Sequence, residues 1–292
     1  MIRAQNLTKD YGEGRGIYNL NFHIPKGQVV GFLGPNGAGK TTTIRFLLGL
    51  LSYKDSKAFI KDLDCFNEQA HIQRFTGYLP GELTFIDGFN GQEFLNFMAG
   101  LKGVHDLSYA HKLINAFELK LNMPIKKMSK GMKQKLGIII AFMDKPEVLL
   151  LDEPSSGLDP LMQQRLIELI LEHKKMGATI FLSSHIFEEV EKTCDRVIII
   201  KNGQIVEDDI IEEIKAQFGK EYIIEFKTTK DKNEFIDRYG GKSYSDKQVS
   251  FLVESNVNDL IQHLTKYDVI DLSRKDQSIE EIFLKYYGDN ND

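Results

Sequence analysis

The residues with the clearest chemical pattern form a glycine-rich stretch near the N-terminus. Residues 34–41 match the phosphate-binding pattern G-x-x-x-x-G-K-[ST]. Glycines let the backbone turn its N–H groups toward a dense negative charge, because they lack a Cβ and tolerate positive φ. Lys40 can then reach the β- and γ-phosphates, and the Thr41 hydroxyl can bind Mg²⁺. The pattern predicts a nucleoside triphosphate site with these contact residues: Gly34, Pro35, Asn36, Gly37, Ala38, Gly39, Lys40, Thr41 and Thr42.

The segments on either side of this stretch support the same interpretation. Val29–Leu33 is an apolar run that predicts a buried strand, and residues 42–51 carry apolar side chains at helical spacing. A strand, a loop and a helix in this order place the phosphates at a helix N-terminus, where the helix dipole favours anions. An incidental lysine in a glycine-rich turn would lack this context.

A second candidate group follows a later strand. Val148–Leu151 is a continuous apolar run, which is typical of a strand buried on both faces of a parallel sheet. Asp152 and Glu153 come directly after it, at the strand end where doubly wound folds bind their ligands. We expect one acid to hold Mg²⁺, usually through water, and the next to polarise an attacking water. The alternative is a pair of solvated acids at a strand end.

Two single residues are weaker candidates. Tyr11 could stack on an adenine face, although the residues alone favour an ordinary core or surface tyrosine. His185 follows the predicted strand Thr179–Leu182 and could reach a γ-phosphate. A lone histidine is more often a bystander, so only its place among the other candidates promotes it.

Composition and charge exclude several classes of protein. The chain has 292 residues, 42% of them hydrophobic, and a formal net charge of −5, so it can bury a real core and lacks the basic footprint of a nucleic-acid-binding protein. Residues 1–220 hold 27 basic and 27 acidic side chains, whereas residues 221–292 hold 10 and 15. Cys65 and Cys194 fit no metal-binding spacing, and we expect reduced thiols in cytosol.

The sequence contains no segment of the kind that crosses or enters a membrane. The N-terminus has no signal-peptide h-region, and the longest apolar runs are far shorter than a membrane span. We therefore expect a chain that is soluble by itself. If it serves a membrane process, another chain must cross the bilayer.

The order of predicted elements suggests two parts. Residues 2–30 alternate short apolar runs with turns, and residues 87–143 predict an inserted helical block. Residues 207–220 predict a charged helical linker. Beyond it, residues 221–292 alternate predicted strands and helices, and Ser278–Glu281 is a capping box that opens the last helix.

With these pieces placed, residues 1–220 closely resemble the ATP-binding subunit of an ATP-binding cassette (ABC) transporter. Residues 34–42 match the family's Walker A loop, and Val148–Glu153 matches its Walker B strand. The resemblance implies an adenine-stacking role for Tyr11. It also assigns the metal position to Asp152 and the general-base position to Glu153. By the same resemblance, residues 156–160 are the D-loop and His185 is the switch histidine.

The family hallmark, L-S-G-G-Q, has a variant here. Residues 128–132 read M-S-K-G-M, so Ser129 and Gly131 hold the positions that contact the γ-phosphate bound by the opposite subunit. Lys130 and Met132 depart from the commonest form. Such variants are frequent in the drug- and peptide-exporter branch of the family.

The Q-loop departs more sharply. Family members commonly have Tyr-Leu-Pro-Gln, whereas this chain has Tyr78, Leu79, Pro80, Gly81 and Glu82. The glutamine that senses Mg²⁺ and couples to the membrane partner is therefore absent at position 81. Glu82 is a candidate metal ligand in its place, as an anion rather than a neutral amide. The alternative is that Glu82 faces the membrane subunit.

The resemblance implies a specific fold. We expect an α/β P-loop NTPase cassette with a mainly parallel core sheet, an N-terminal antiparallel β part and a helical insertion at about 87–143. The nucleotide-binding domain would span 1–220. A small α+β accessory domain would span 221–292.

The resemblance also implies a function: the ATP-hydrolysing motor of a bacterial-type exporter for antibiotics, amphipathic peptides or lipids. Its cofactors would be ATP and Mg²⁺, and its partners a separate transmembrane permease and a second cassette in a homodimer or heterodimer, without nucleic acid. It would be cytoplasmic and peripheral on the inner face of the membrane. The alternative is a regulatory cassette that binds ATP but hydrolyses it poorly, paired with a second, active cassette. A soluble cassette protein of DNA repair is disfavoured, because the long coiled coil of that class is missing. A cassette protein of translation is disfavoured, because those proteins usually carry two cassettes in one chain.

Overall fold

The computed structural model describes residues 1–52, 54–217, 220–253, 256–275 and 278–288. Its contacts divide the chain into two compact units, Met1–Asp209 and Ile210–Asp292. The elements of the first unit are, in chain order, β1 (Ile2–Gly12), β2 (Arg15–Ile24), β3 (Val29–Leu33), α1 (Lys40–Leu47), β4 (Lys57–Ile60), β5 (Leu63–Asp64), α2 (Gln69–Ile72), β6 (Thr76–Leu79), α3 (Gly91–Lys102), α4 (Ser108–Ala116), a 3₁₀ turn (Ile125–Lys127), α5 (Lys130–Phe142), β7 (Val148–Asp152), α6 (Pro160–Lys175), β8 (Thr179–Ser184), α7 (Phe187–Thr193), β9 (Arg196–Lys201) and β10 (Gln204–Ile210).

A six-stranded sheet with the order β10-β9-β3-β8-β7-β6 forms the centre of the first unit. Strand β3 lies parallel to β8 and β9, and β7 lies parallel to β6 and β8. Every residue of β3, β7 and β8 is buried, as the continuous apolar runs predict. The pairs Leu33↔Ser184 and Asp152↔Ser183 place the carboxyl ends of these three strands at one edge.

An antiparallel sheet with the order β2-β1-β4-β5 packs beside this centre. Strands β1 and β2 form a hairpin with three register shifts, and β1 also pairs with β4. Their inward side chains, among them Ile2, Leu7 and Ile24, belong to the same hydrophobic cluster as Phe32 and Phe181 of the central sheet. The antiparallel part and the parallel part therefore share one core.

The helical block contains α3, α4 and α5. Helix α3 begins at a complete capping box, in which Asn90 and Glu93 exchange hydrogen bonds, and it ends at Gly103 with a φ of 70°. Helix α5 packs against both other helices and against β6. Since β6 belongs to the central sheet, α5 joins the helical block to the core.

The second unit contains α8 (Ile211–Gln217), β11 (Lys220–Phe226), α9 (Thr229–Tyr239), β12 (Lys242–Ser243), β13 (Gln248–Val253), α10 (Val257–Leu264), β14 (Val269–Lys275) and α11 (Ile279–Gly288). Its antiparallel sheet has the order β12-β13-β11-β14. Buried Ile224, Phe226, Phe235, Val249 and Leu260 form its core. Ser278 accepts the amide of Glu281 at 3.2 Å, which is one bond of the predicted capping box, and the Glu281 carboxylate binds Lys275.

The α/β architecture predicted from the sequence is confirmed, with three local differences. Residues 207–210 continue strand β10 beside β9, so the predicted helical linker is wrong there, and 211–217 are the helical part of what the structure describes of that segment. Pairing with a neighbouring strand outweighs the helical preference of an acidic segment. Helix α7 was not predicted, and α1 begins at Lys40 rather than Thr42. Cys65 and Cys194 are both buried free thiols. Among the described residues, no helix combines the length and hydrophobicity needed to cross a membrane.

Candidate nucleotide-binding site

The loop between β3 and α1 depends on its glycines for packing as well as for conformation. A Cβ on Gly34 would lie 2.7 Å from the Ile200 carbonyl oxygen, and a Cβ on Gly39 would lie 2.3 Å from Ile17 Cγ2. Gly39 also has a φ of 114°, and Gly37 a φ of 83°, in a region that side chains disfavour. The loop therefore holds its backbone close to its neighbours, and α1 starts immediately after Gly39.

Lys40 lies folded over the loop that precedes it. Its side chain is only 7% exposed, and its Nζ atom donates to the carbonyl oxygens of Gly34 at 2.7 Å and Pro35 at 3.3 Å. Glu153 Oε1 lies 3.4 Å from the same nitrogen. A shielded ammonium at this point attracts an anion strongly, because little solvent screens it.

Thr41 and Asp152 meet at the carboxyl edge of the sheet. Thr41 Oγ1 donates to Asp152 Oδ2 at 2.8 Å, and Ser183 Oγ donates to Asp152 Oδ1 at 2.5 Å. Asp152 is 2% exposed. A carboxylate and a hydroxyl, side by side, are the hard oxygen ligands that Mg²⁺ prefers. In the described part of the chain no three His, Cys, Asp or Glu side chains form a metal-binding group, and Mg²⁺ does not require one when phosphate oxygens and water complete its shell.

Glu153 and His185 are in direct contact. The His185 Nδ1 atom hydrogen-bonds to Glu153 Oε2. Glu153 has a φ of 51°, and its amide donates to the Ser183 carbonyl oxygen at 3.0 Å. A left-handed conformation is uncommon for a residue with a side chain and often marks a functional position. Here it turns the chain at the end of β7 so that the carboxylate lies beside Lys40.

The turn after Glu153 is held by a hydrogen bond from a residue that the sequence analysis did not single out. Gln134 of α5 is 3% exposed, and its Nε2 atom donates to the Pro154 carbonyl oxygen at 2.8 Å. Ser183 and Glu189, which also support this edge, were likewise missed as functional residues. No local pattern marks them, because each gains its role from a partner 20 to 34 positions away.

Two clefts lie on either side of the loop. The larger, about 920 Å³, is bordered by the catalytic candidates, and the smaller, about 380 Å³, lies toward the β1–β2 hairpin. The larger cleft is lined by Gly34, Pro35, Asn36, Thr41, Arg45, Leu50, Tyr78, Pro80, Gly81, Glu82, Lys130, Asp152, Glu153, Ser156 and His185. The smaller is lined by Tyr11, Arg15, Gly16, Pro35, Asn36, Gly37, Gly39, Lys40, Thr41, Thr42 and Glu153.

Tyr11 therefore borders the same cleft as the phosphate loop. Its side chain is 49% exposed, and the Lys9 ammonium lies 5.5 Å from its ring centre. A tyrosine at this exposure is not a core residue. Its ring is available for stacking on a flat apolar group.

Gly81 and Glu82 line the larger cleft, whereas Tyr11 lines the smaller one. A Cβ on Gly81 would lie 3.3 Å from Asp152 Oδ2, so this glycine directly borders the acid. Glu82 is exposed and lines the cleft. Burial and the Asp152 charge raise the pKa of the neighbouring Tyr78 to about 12, so its hydroxyl stays protonated at neutral pH.

Ser129 and Gly131 lie at the start of α5, outside both clefts. Ser129 Oγ caps the helix by accepting the Met132 amide at 3.2 Å. A Cβ on Gly131 would lie 2.8 Å from the Gly157 carbonyl oxygen, so the helix start packs against the turn of residues 155–159. Lys130 reaches the larger cleft, but neither Ser129 nor Gly131 lines it.

Comparisons with known proteins give one consistent result. The family model for "ABC transporter" matches residues 17–156. The bacitracin transport ATP-binding protein BcrA of Bacillus licheniformis is 32% identical over 301 residues, covering 99% of this chain and 97% of that protein. A solved structure of the ATP-binding subunit of an ABC transporter is 30% identical with a TM-score of 0.69, and the match covers 74% of this chain and 92% of that one. A dimeric ATP-binding cassette bound to ADP and Pi, MJ0796, shares the fold at 22% identity and a TM-score of 0.65, covering 72% of this chain and 99% of its own.

Proposed function

Because this chain belongs to the ABC transporter family, as an ATP-binding protein of that family, we propose that it is the ATP-hydrolysing motor subunit of an exporter. The main support for this proposal is that four functional side chains lie together at one edge of the central sheet. Lys40 and Thr41 start the helix after the phosphate loop, Asp152 ends β7 within hydrogen-bond distance of Thr41, and Glu153 follows it within ion-pair distance of Lys40. This arrangement combines anion binding, a hard metal site and a base beside one phosphate loop.

The chain's own residues take distinct roles in this proposal. Tyr11 stacks on adenine, and the backbone amides of residues 34–42 with the Lys40 ammonium bind the phosphates. Thr41 and Asp152 hold Mg²⁺, which when bound neutralises the phosphate charge. Glu153 accepts a proton from the attacking water, and His185 holds the Glu153 carboxylate and faces the γ-phosphate.

Glu82 is proposed as an additional ligand or neighbour of Mg²⁺. It borders the cleft that contains Asp152, and Gly81 leaves the space beside that acid open. An anionic oxygen would hold the hard cation more tightly than the amide that is common in the family.

A complete site requires two chains in this proposal. Ser129 and Gly131 lie outside the clefts of their own phosphate loop, as expected for groups that contact the γ-phosphate of an opposite subunit. Two copies, or this chain and a second cassette, would enclose two ATP molecules head to tail. The MJ0796 cassette, which has the same fold, is dimeric with ADP and Pi bound, and this supports a dimer here. Closure excludes water and aligns Glu153, and hydrolysis reopens the dimer.

The remaining parts of the proposal concern the membrane. A separate transmembrane permease would convert cassette closure into export, and the chain would be cytoplasmic, bound to the inner face of the membrane through that permease. The similarity to BcrA, a bacitracin transport protein, supports an antibiotic as cargo, with amphipathic peptides and lipids as the other classes. The nucleotide-binding domain would span 1–220 and the accessory domain 221–292.

The alternative, a regulatory cassette that hydrolyses ATP poorly, is not favoured. The reason to consider this alternative is the missing glutamine of the Q-loop. However, the Glu153–His185 contact retains both groups that hydrolysis needs. A purely regulatory site would not depend on either group.

Phosphate release by the purified chain tests the proposal. Wild-type protein with ATP and Mg²⁺ should turn over, and Lys40→Ala should remove nearly all activity, because the shielded ammonium that faces the phosphates is lost. Lys26→Ala is the matched control: Lys26 is exposed in the turn before β3, at the end of the strand opposite the loop. Wild-type protein that releases no phosphate, alone or with a permease, would reject the motor function.

A further inference from the structure

A buried carboxylate joins the two segments that carry Glu153 and His185. Glu189 of α7 is only 3% exposed. Its Oε2 atom accepts the Ser184 hydroxyl at 2.6 Å and the Ser155 hydroxyl at 3.1 Å. Ser155 follows Glu153 by two residues, and Ser184 directly precedes His185. One oxygen atom therefore ties together the turns on which both catalytic candidates depend.

The same hydrogen-bond network continues on both sides of His185. Ser184 Oγ accepts the amide of Ile186 at 3.0 Å, so the histidine lies between two anchored residues. Thr193 Oγ1 donates to the Glu189 carbonyl oxygen at 2.7 Å, which fixes the end of α7. His185 itself is 61% exposed, so its position depends on these flanking contacts rather than on packing of its ring.

The surroundings of Glu189 are unfavourable for a structural acid. None of the described lysines and arginines pairs with it, and its Oε1 atom is buried without a hydrogen-bond partner. Burial raises its pKa to about 7, against the lowering effect of the two serine hydroxyls. A buried acid without a cation usually destabilises a fold, so its presence here calls for a role in the site.

We propose that Glu189 is a positioning residue for ATP hydrolysis, which holds His185 against Glu153 by binding Ser184 and Ser155 together. This inference rests on the proposed function. Without the acceptor, both turns gain freedom. A displacement of about 1 Å in a catalytic group can lower a rate about 10²-fold. Nucleotide binding should change little, since Glu189 borders neither cleft beside the phosphate loop.

Steady-state kinetics of Glu189→Ala, Glu189→Gln and the control Glu188→Gln test this role. We expect Glu189→Ala to lower kcat about tenfold to a hundredfold, with the KM for ATP changed by about twofold or less. Glu189→Gln should restore most of kcat, because the amide oxygen accepts both hydroxyls and the amide nitrogen takes the place of the unpartnered Oε1. Glu188 neighbours it on α7 with a side chain that is 72% exposed, and its replacement should leave both constants unchanged.

Two further measurements complete the test. Serine variants apply even if Glu189→Ala folds poorly, and hydrogen exchange reports on the two turns directly. Ser155→Ala and Ser184→Ala together should reproduce the kcat loss, and adding Glu189→Gln to that pair should cause no further loss. Amides of residues 155–158 and 184–187 should exchange faster in Glu189→Ala than in Glu188→Gln. Wild-type kcat in Glu189→Ala, no rescue by glutamine, or unchanged exchange at both segments would each overturn the proposal. If wild-type protein fails to hydrolyse ATP, the proposed function fails, and the exchange result still decides whether Glu189 links the two turns.

Discussion

The Thr41 hydroxyl donates to the Asp152 carboxylate at 2.8 Å, although the two residues are 111 positions apart. The contact joins the first turn of α1 to the end of β7. It holds two hard oxygen atoms side by side, so the Mg²⁺ ion of the proposed function would meet a prepared pair of ligands. Preorganisation of this kind lowers the cost of binding.

Thr41 variants should separate the hydroxyl from the packing of the side chain. Thr41→Ser keeps the oxygen and should bind ATP with nearly wild-type Mg²⁺ dependence. Thr41→Val has the same shape without the oxygen, and it should need roughly tenfold or more Mg²⁺, since losing even an outer-shell partner of a metal ligand typically costs about 10–100-fold in affinity. Nucleotide fluorescence during Mg²⁺ titration measures this; equal titration curves for serine and valine would remove the metal role of Thr41.

Glu153→Gln should nearly abolish steady-state hydrolysis while ATP binding remains. Losing the carboxylate removes the group that accepts the water proton, and general-base removal typically costs ~10²–10⁴ in rate. The variant should therefore accumulate an ATP-dependent dimer, visible by light scattering, whereas nucleotide-free protein stays mostly monomeric. Near-wild-type turnover in the presence of the permease would show that another group is the base.

Tyr11→Ala should weaken ATP binding without changing kcat. Stacking of a base on an aromatic ring contributes about 1–3 kcal/mol, so we expect a Kd increase of roughly tenfold. Tyr11→Phe keeps the ring and should bind like wild type. Isothermal titration with both variants decides between a stacking platform and an ordinary surface tyrosine, for which alanine and phenylalanine would behave alike.

Glu82→Gln should make ATP binding depend less steeply on Mg²⁺. A carboxylate near Asp152 favours the cation and repels a triphosphate that lacks it, and the amide does neither. Glu118→Gln, at an exposed glutamate of the helical block, is the control. If Glu82 instead faces the permease, Glu82→Ala leaves the Mg²⁺ titration unchanged and uncouples transport from hydrolysis.

His173 should make the fold sensitive to mild acid. Burial and, secondarily, the Lys145 charge lower its pKa to about 4, from an ordinary value of 6.5, and its Nε2 atom lies 3.0 Å from the Tyr109 hydroxyl. The stabilisation is present above pH 6.5 and is lost as pH falls toward 4, because the unfolded chain takes up the proton first. The loss should be on the order of 1–3 kcal/mol.

Urea unfolding between pH 7 and 4.5 measures this effect as the difference between wild type and His173→Gln. The difference is needed because Glu189, with a pKa raised to about 7 by burial, shifts stability in the opposite direction, toward loss as pH rises from 4.5 to 7. His111→Gln, at an exposed histidine of α4, is the control. Identical pH profiles for wild type and His173→Gln would contradict the prediction.

The sequence by itself determined the identity of the site. The phosphate loop at 34–42 and the strand with its two acids at 148–153 are continuous segments, and their chemistry depends on residue type and local backbone conformation. For the same reason the strands and most helices were predictable, since hydrophobic periodicity is a local property. The departure from the family's Q-loop pattern at Gly81 was also visible in the sequence, because it is a change within a short motif.

Only the tertiary structure decided which distant groups support that site. Ser183 holds Asp152, Gln134 holds the turn after Glu153, and Glu189 binds Ser155, across 20 to 34 positions of sequence. These contacts follow from the order in which β3, β8 and β7 pair, and from the packing of α5 against β6 and of α7 against β8. Strand order is not a local property, and neither is the partner that a buried polar side chain finds. The same limit explains residues 207–210, where pairing with β9 produced a strand in a segment whose own composition favoured a helix.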